Sequence, residues 1–575
     1  MTPRAWLLAV ALALGALCWG LGRHPLLEPD EGRNAEVARE MARSGDFVLP
    51  HLNGLPYLDK PAPYFAAVAL SFRLFGESEG AARLPSLLLT LGTIALVWRL
   101  GRRLGPPGTG EIAAVALATM PLVLAFSRTV IFDSALAFLE TLALAAAWRG
   151  FTAERAAWRW YALAWAAMGL GAVTKGPVAI VVPLLVVVVF ALAAGLPLRP
   201  FFSIRAWPWL LVTGLPWFVA VSVRRPDFPA YALVYESLER LVTRTHGRGG
   251  PIWYFVPVLL AGSFPWIGPA LHGTAAAWRA RALRRDSAGR PAVFLLSWAL
   301  VPLVFFSLSQ SKLPGYYLPA LPAVALGAAW ALARAGGDEA ALRRLARGTT
   351  VLAGLMGVLG IGLLVLADRA FVEVPLTPLT RLRLPGVTLG LGAALAAGSF
   401  VAFVGARRRA VWLIAAGLAI PVPAAPFAGG AFLESLAGDR SSKDLAEQIE
   451  AAAPGARVVG VETYPTALRY YLDRQVLLAS ATGVEMTSNY VAARLAEFRG
   501  RPGTPLRTAE WWPAALAACD TPTVFVGRRG RRSADALRAR LPLIASGGAD
   551  AKFLAYGPCR GPAARTDSLP DQGPP

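Results

Sequence analysis

A short polar stretch, Asp30-Glu31-Gly32-Arg33-Asn34-Ala35-Glu36, stands out in a chain that is 55% hydrophobic and only 16% charged. Adjacent carboxylates with an arginine close behind offer a proton acceptor beside a fixed cation. That pair suits activation of an acceptor next to an anionic leaving group. Further along, Tyr57-Leu58-Asp59-Lys60-Pro61 repeats the carboxylate–cation theme, and Asp133, Lys175, Glu236, Arg240 and Lys312 follow. Each also has a plainer reading. Asp30 and Glu31 suit the exposed N–H groups of a helix start. Lys60, Lys175 and Lys312 suit the ends of apolar spans, where a long stem carries the ammonium to water. Asp133 suits an ion pair with Arg128, and Glu236 with Arg240 suits a helix-surface pair four residues apart. Trp253, Tyr254 and Trp266 suit an interfacial aromatic belt.

The elements that must position these groups are membrane spans. The mean hydropathy of +0.49 excludes an ordinary soluble domain. Apolar runs at 5–22, 83–101, 111–126, 132–148, 160–173, 177–195, 207–223, 252–271, 291–309, 315–333, 349–367, 386–405 and 411–430 predict about thirteen transmembrane helices. Arg4 precedes the first run without a small-residue cleavage site behind it, so residues 1–22 read as an anchor. The formal net charge of +21 does not call for nucleic acid. Much of it is arginine in alternate turns, including Arg102 and Arg103, Arg149 to Arg159, Arg279 to Arg290, and Arg407 to Arg409. That bias places the N-terminus and these turns in the cytoplasm and the C-terminus outside. The named polar clusters then share the outer face, where lysine and arginine are not required by orientation and an anionic ligand accounts for them.

The first outer loop covers 23–82. It predicts a helix from Asp30 to about Ser44 with Gly45 as its C-cap. A half-buried or amphipathic segment at 62–75 should lie along the membrane surface. Beyond about Gly438 the composition turns mixed. Helices near 443–453, 465–472 and 489–498 alternate with strands at 457–462, 475–478 and 522–527, which reads as a small α/β domain. The division is a transmembrane domain at 1–435, an α/β domain at 436–560, and a Pro- and Gly-rich tail at 561–575 that reads as disordered. Cys18 lies in the first anchor. Cys519 and Cys559, placed outside, are expected to pair as a disulfide.

In order along the chain, several motifs resemble the GT-C membrane glycosyltransferases. They are Asp-Glu-Gly-Arg-x-x-Glu from Asp30, Arg43-Ser44-Gly45-Asp46-Phe47-Val48-Leu49-Pro50, and Tyr57-Leu58-Asp59-Lys60-Pro61-x-Pro. Then come Asp133, Thr174-Lys175-Gly176-Pro177, Trp253-Tyr254-Phe255-x-Pro257, Gly262-Ser263-Phe264-Pro265-Trp266, and Lys312-Leu313-Pro314-Gly315-Tyr316-Tyr317-Leu318-Pro319. They are similar to the aminoarabinose–lipid A transferases and their protein O-mannosyltransferase relatives. The resemblance implies a polytopic helical fold with a C-terminal outer α/β domain, in a bacterial inner membrane. It implies an inverting transfer from a polyprenyl-phosphate sugar to lipid A, another envelope glycan or a protein. Asp30 falls on the essential acid and Asp133 on a second acid. Arg33, Tyr57, Lys60 and Tyr316 fall on positions that hold the donor phosphate, with Glu31, Asp59, Lys175, Glu236, Arg240 and Lys312 as further cavity candidates. The resemblance also implies a zinc ion between the acid before Lys-Pro and a histidine of the long outer loop. Here Asp59 keeps the acid, Ser237 stands where the histidine would fall, and His246 lies nine residues on. A polytopic transporter is the rival class; it calls for ionisable groups at mid-membrane, whereas these clusters lie at span ends.

Overall fold

The computed structural model describes residues 11, 13–232, 249–279 (backbone alone at 276–279), 289–367, 376–548 and 551–559. Glu236, Arg240, Ser237, His246, the arginines at 281–285 and the 561–575 tail lie outside the described residues.

The first-loop helix α1 (Asp30–Ser44) runs as its sequence predicts. Gly45 ends it at φ 74°, and Arg43 in the last turn complements the helix dipole. A two-stranded hairpin, β1 (His51–Leu52) with β2 (Leu55–Pro56), leads back toward the membrane helices. Helix α2 (Ala62–Phe75) then packs beside α1. It buries Tyr64, Phe65, Val68, Ala69 and Phe72 and leaves Leu70, Leu74 and Phe75 exposed, as a half-buried helix should.

The drawn spans from 83 onward fall on helices, beginning with α3 (Glu79–Leu104), α4 (Thr109–Ala118), α5 (Pro121–Ser127), α6 (Asp133–Thr152) and α7 (Ala157–Lys175). Among the described residues, six helices are long and apolar enough to cross a membrane, or eight if two bent pairs each count as one. Two runs read as single spans are broken. The run at 111–126 bends by 64° between α4 and α5, and the run at 252–271 bends by 110° between Gly262 and Ile267. Pro121 and Pro265 sit at these breaks, and a proline without an N–H cannot continue the helical ladder. Hydropathy alone does not register such a turn. Trp266 also departs from its expected place in an aromatic belt. It is fully buried, and its indole N–H donates to Thr119 Oγ1 at 2.9 Å.

The C-terminal region forms a six-stranded sheet in the order β5-β4-β3-β6-β8-β7. Strands β3 (Arg457–Val461), β4 (Val476–Ala479), β5 (Leu506–Arg507) and β6 (Thr523–Arg528) are parallel. β7 (Leu543–Gly547) and β8 (Phe553–Cys559) add antiparallel to that edge. The sequence reading missed β5, β7 and β8, the last of which ends at Cys559. Cys519 and Cys559 form a disulfide with Cα atoms 5.9 Å apart.

Glu28, Gly32 and Asp59 make three of the ties that seat this region on the first loop. Glu28 accepts from the Thr466 and Ala467 N–H groups at 2.7 and 2.8 Å, from the Thr466 hydroxyl, and from the Ser442 hydroxyl. These amides follow β3 and open the short helix Leu468–Leu472, so the carboxylate caps that helix. Gly32 allows the approach: a Cβ there would lie 2.7 Å from Ala467 Cα. Asp59 makes the third tie, described below.

Candidate active site

Asp30 and Glu31 are neighbours with opposite surroundings. The Asp30 side chain is 47% exposed and meets Arg33 Nη2 at 2.5 Å. Glu31 is buried against Arg83, whose Nε and Nη2 reach its two oxygens at 2.9 and 2.8 Å. The amides of Val130 and Leu27 donate to it as well, at 2.9 and 3.1 Å. Arg83 spends its remaining donors on the carbonyls of Leu21, His24 and Pro25. Glu31 therefore fastens α1 to the Val130 turn and to α3, and does not face a ligand cavity. Its neighbour is left to do so.

Arg33 extends the Asp30 cluster. Its Nη1 donates to Thr487 Oγ1 at 3.0 Å, and its guanidinium lies 5.9 Å from the centre of the buried Tyr57 ring. Burial opposes its charge, but Tyr57, Asp30 and Asp59 outweigh burial and hold its pKa above the usual arginine value. Its buried Nε has no hydrogen-bond partner among the described residues. From Tyr57 an aromatic path runs through Phe65 at 5.9 Å to Phe132 at 5.1 Å, the residue before Asp133.

Asp133 opens α6 and is buried, with Lys175 Nζ at 2.5 Å. The expected Arg128 partner is not used; Arg128 donates to the Ala16 carbonyl at 3.0 Å and closes the first span. Lys175 Nζ lies 5.4 Å from the centre of the Tyr316 ring. Gly315 brings the Lys-Leu-Pro-Gly-Tyr turn against Asp133, since a Cβ there would lie 2.6 Å from the Phe126 ring and clash with Asp133 itself. Asp133, Lys175 and Tyr316 thus form a second cluster, as the motifs imply. Glu140, which the sequence reading passed over, lies on the same face of α6 about two turns deeper and is 2% exposed. An isolated acid inside an apolar run leaves little mark on hydropathy.

The Lys312 ammonium is buried and donates to the carbonyls of Phe306, Ser307 and Ser309, so it caps the helix Arg290–Leu308. Lys60 Nζ folds onto the Asp59 carbonyl at 2.7 Å.

Asp59 is bound by Tyr231 and by donors from the C-terminal region. Tyr231 OH reaches Oδ1 at 2.9 Å, the amides of Asn489 and Tyr490 reach it at 2.8 and 3.3 Å, and Ser488 Oγ reaches Oδ2. These are O–H and N–H donors, the surroundings of a helix-capping carboxylate and not of a metal ligand. Among the described residues no group of three His, Cys, Asp or Glu side chains is arranged to hold a metal ion. The loop at 233–248, where a histidine partner for Asp59 would fall, lies outside them.

Comparison with known proteins places this geometry. Residues 59–223 match the family model described as dolichyl-phosphate-mannose-protein mannosyltransferase. The undecaprenyl phosphate-alpha-4-amino-4-deoxy-L-arabinose arabinosyl transferase of Serratia proteamaculans is 32% identical over 403 residues, 67% of this chain and 69% of that protein. The chain belongs to the aminoarabinose transferase family of GT-C glycosyltransferases. The family member from Edwardsiella ictaluri is 31% identical, and the chain spans 63% of its length. The crystal structure of ArnT from Cupriavidus metallidurans bound to undecaprenyl phosphate superposes with a TM-score of 0.79 at 27% identity, covering 97% of this chain and 98% of that one. The Archaeoglobus fulgidus oligosaccharyltransferase shares the fold at a TM-score of 0.50 and 13% identity.

Proposed function

We propose that this chain moves a sugar from a polyprenyl-phosphate donor of the undecaprenyl class to lipid A or a related envelope acceptor at the periplasmic face of the inner membrane. The observation that carries the reading is the Asp30–Arg33 pair. A half-exposed carboxylate and a buried, permanently charged guanidinium stand 2.5 Å apart, backed by Tyr57.

The residues divide the chemistry. An acceptor oxygen attacks the anomeric carbon while the bond from that carbon to the donor phosphate oxygen breaks. The acceptor's proton passes to Asp30 when the acceptor is a hydroxyl. The charge gathering on the departing lipid phosphate is met by Arg33 and Lys60 on one side and by Lys175 and Tyr316 on the other, with Tyr57 fixing the guanidinium. Lys175 in turn is oriented by Asp133. One displacement inverts the anomeric centre, and no carboxylate acts as a nucleophile. The Cys519–Cys559 disulfide supports a C-terminal region in the oxidising periplasm.

The family model matched at 59–223 also admits a protein acceptor. One assay separates the two. Membrane vesicles carrying the chain are given a radiolabelled polyprenyl-phosphate sugar together with lipid A and with unfolded protein. Label is expected in lipid A, and to vanish with Asp30→Asn while the protein still inserts. Label in protein would select the mannosyltransferase-like reading. Transfer by the Asp30→Asn variant at near-normal rate would overturn the catalytic assignment.

A further inference from the structure

The C-terminal half of α1 and the helix Leu468–Leu472 enclose a cavity of about 220 Å³ that the chemistry above does not use. Four guanidiniums and three carboxylates line it, and Ser44 stands at its edge. Three guanidinium N–H groups in it, Nε of Arg39 and Nε and Nη2 of Arg474, are buried without a hydrogen-bond partner among the described residues. Arg39 is itself 4% exposed. Glu36 Oε2 also lacks a hydrogen bond, although it stands 2.7 Å from Arg39 Nη2 as an ion contact. The Asp473 side chain is 58% exposed, which opens the cavity to solvent.

The charges nearly cancel. Arg43 is also held by Glu77 at 2.6 Å and Arg474 by Glu450 at 2.5 Å, so five carboxylates stand near four guanidiniums. A bare anion gains little from such a lining. A polyol gains more, because each sugar hydroxyl both donates and accepts and can meet guanidinium N–H and carboxylate oxygen together. We propose that this cavity is a subsite for a sugar ring of the acceptor's headgroup, a site separate from the one that holds the donor phosphate. The proposal rests on the reading that the chain glycosylates an envelope acceptor. Glu36 and Arg39 lie six and nine residues beyond Asp30, about 9–14 Å along the helix axis. A single ring cannot bridge that distance, so the acceptor is one with several rings.

The test uses the full-length protein in nanodiscs. Binding of a glucosamine disaccharide, of the same disaccharide bearing a 1-phosphate, and of inorganic phosphate is followed by saturation-transfer NMR. The variants are Arg474→Ala, which removes unpartnered donors, and Ser44→Trp, which blocks the edge without touching an ion pair. Both disaccharides are expected to bind with affinities within threefold of each other, and inorganic phosphate not to displace them. Both variants should raise the acceptor KM at least tenfold, with donor KM and unfolding temperature retained. Displacement by inorganic phosphate overturns the sugar assignment. An unchanged acceptor KM in a variant that keeps its unfolding temperature overturns the subsite, and so does an equal rise in donor KM, which marks a structural role. If Asp30→Asn abolishes transfer while these variants leave KM unchanged, the subsite alone falls. If Asp30→Asn leaves transfer intact, the parent reading falls.

Discussion

The two ends of α1 carry similar residues and treat them differently. At its start, Asp30 keeps nearly half its side chain in solvent and has, among the described residues, one ion pair, with Arg33, which also meets Thr487 and the Tyr57 ring. At its far end, Glu36, Arg39 and Glu40 are tied to Arg469 and Asp473 of the C-terminal region through ion pairs of 2.6 to 3.2 Å. The difference teaches that acid-rich motifs are not uniform. A carboxylate left sparsely partnered beside a buried cation is poised for a ligand. One surrounded by guanidiniums holds two parts of the chain together, and can meet a ligand only through the donors that pairing leaves over, as beside Arg39 and Arg474.

Replacing Asp30 by Asn tests the first end at its strongest. Removing a positioned acid of this kind is expected to lower turnover by about 10²–10⁴-fold, with insertion unchanged, since the Asn side chain keeps an oxygen that can accept from Arg33. Its neighbour gives the opposite outcome. Glu31→Ala strands Arg83, both side chains being 3% exposed or less, and a buried charge left without its partner destabilises by about 3–5 kcal/mol. The measurement is the yield and unfolding temperature of the solubilised protein. A stable Glu31→Ala protein that has merely lost activity would move Glu31 into the catalytic cluster and undo the contrast.

Lys60→Ala asks whether the ligand side extends beyond Arg33. If its ammonium leaves the Asp59 carbonyl to meet the donor phosphate, donor affinity should weaken by about 1.5–3 kcal/mol, the scale of a hydrogen bond to a charged group. Titration with a polyprenyl phosphate reads this directly. Unchanged affinity would confine Lys60 to the Asp59 turn.

Much of this contrast was visible in the sequence, and the rest was hidden for one reason. The limits of α1 follow from local signals: acids in its first turn, Arg43 in its last and Gly45 beyond it. The Lys175 and Tyr316 turns were marked by Pro and Gly at span ends, and the Asp133 turn by its charges alone. The partners that decide each charge's role lie far away in sequence. Arg83 is 52 residues from Glu31, Thr487 is 454 from Arg33, and Thr466 is 438 from Glu28. Neither helical nor strand periodicity records such pairings. Lys312 illustrates the same limit in reverse, since its motif resembles a ligand contact while its ammonium caps a helix. The strands β5, β7 and β8 escaped because the first has two residues, the second ends in glycine and the third carries Gly557-Pro558.

The smallest expected effect belongs to Glu36 and sharpens the far end of the helix. Burial pushes its carboxyl up to about 7, with Glu40 adding to the rise and Arg39 and Arg469 opposing it. The ordinary value is 4.5, so between these two pH values the folded protein binds more protons at this site than the unfolded chain. Stability from Glu36 is therefore fully present below pH 4.5 and is lost as pH rises through about 7. The interface between α1 and the helix Leu468–Leu472 should weaken over that range by on the order of 1–3 kcal/mol. Glu36→Gln removes the titrating group but keeps an acceptor for Arg469, so its stability should be flat across the same range. Amide exchange at Leu468 to Leu472, followed from acid to mildly alkaline pH, localises the effect to this contact. A wild-type interface that tightens as pH rises would mean that Arg39 and Arg469 keep Glu36 ionised, and that this end of α1 is an ordinary ion-pair clasp.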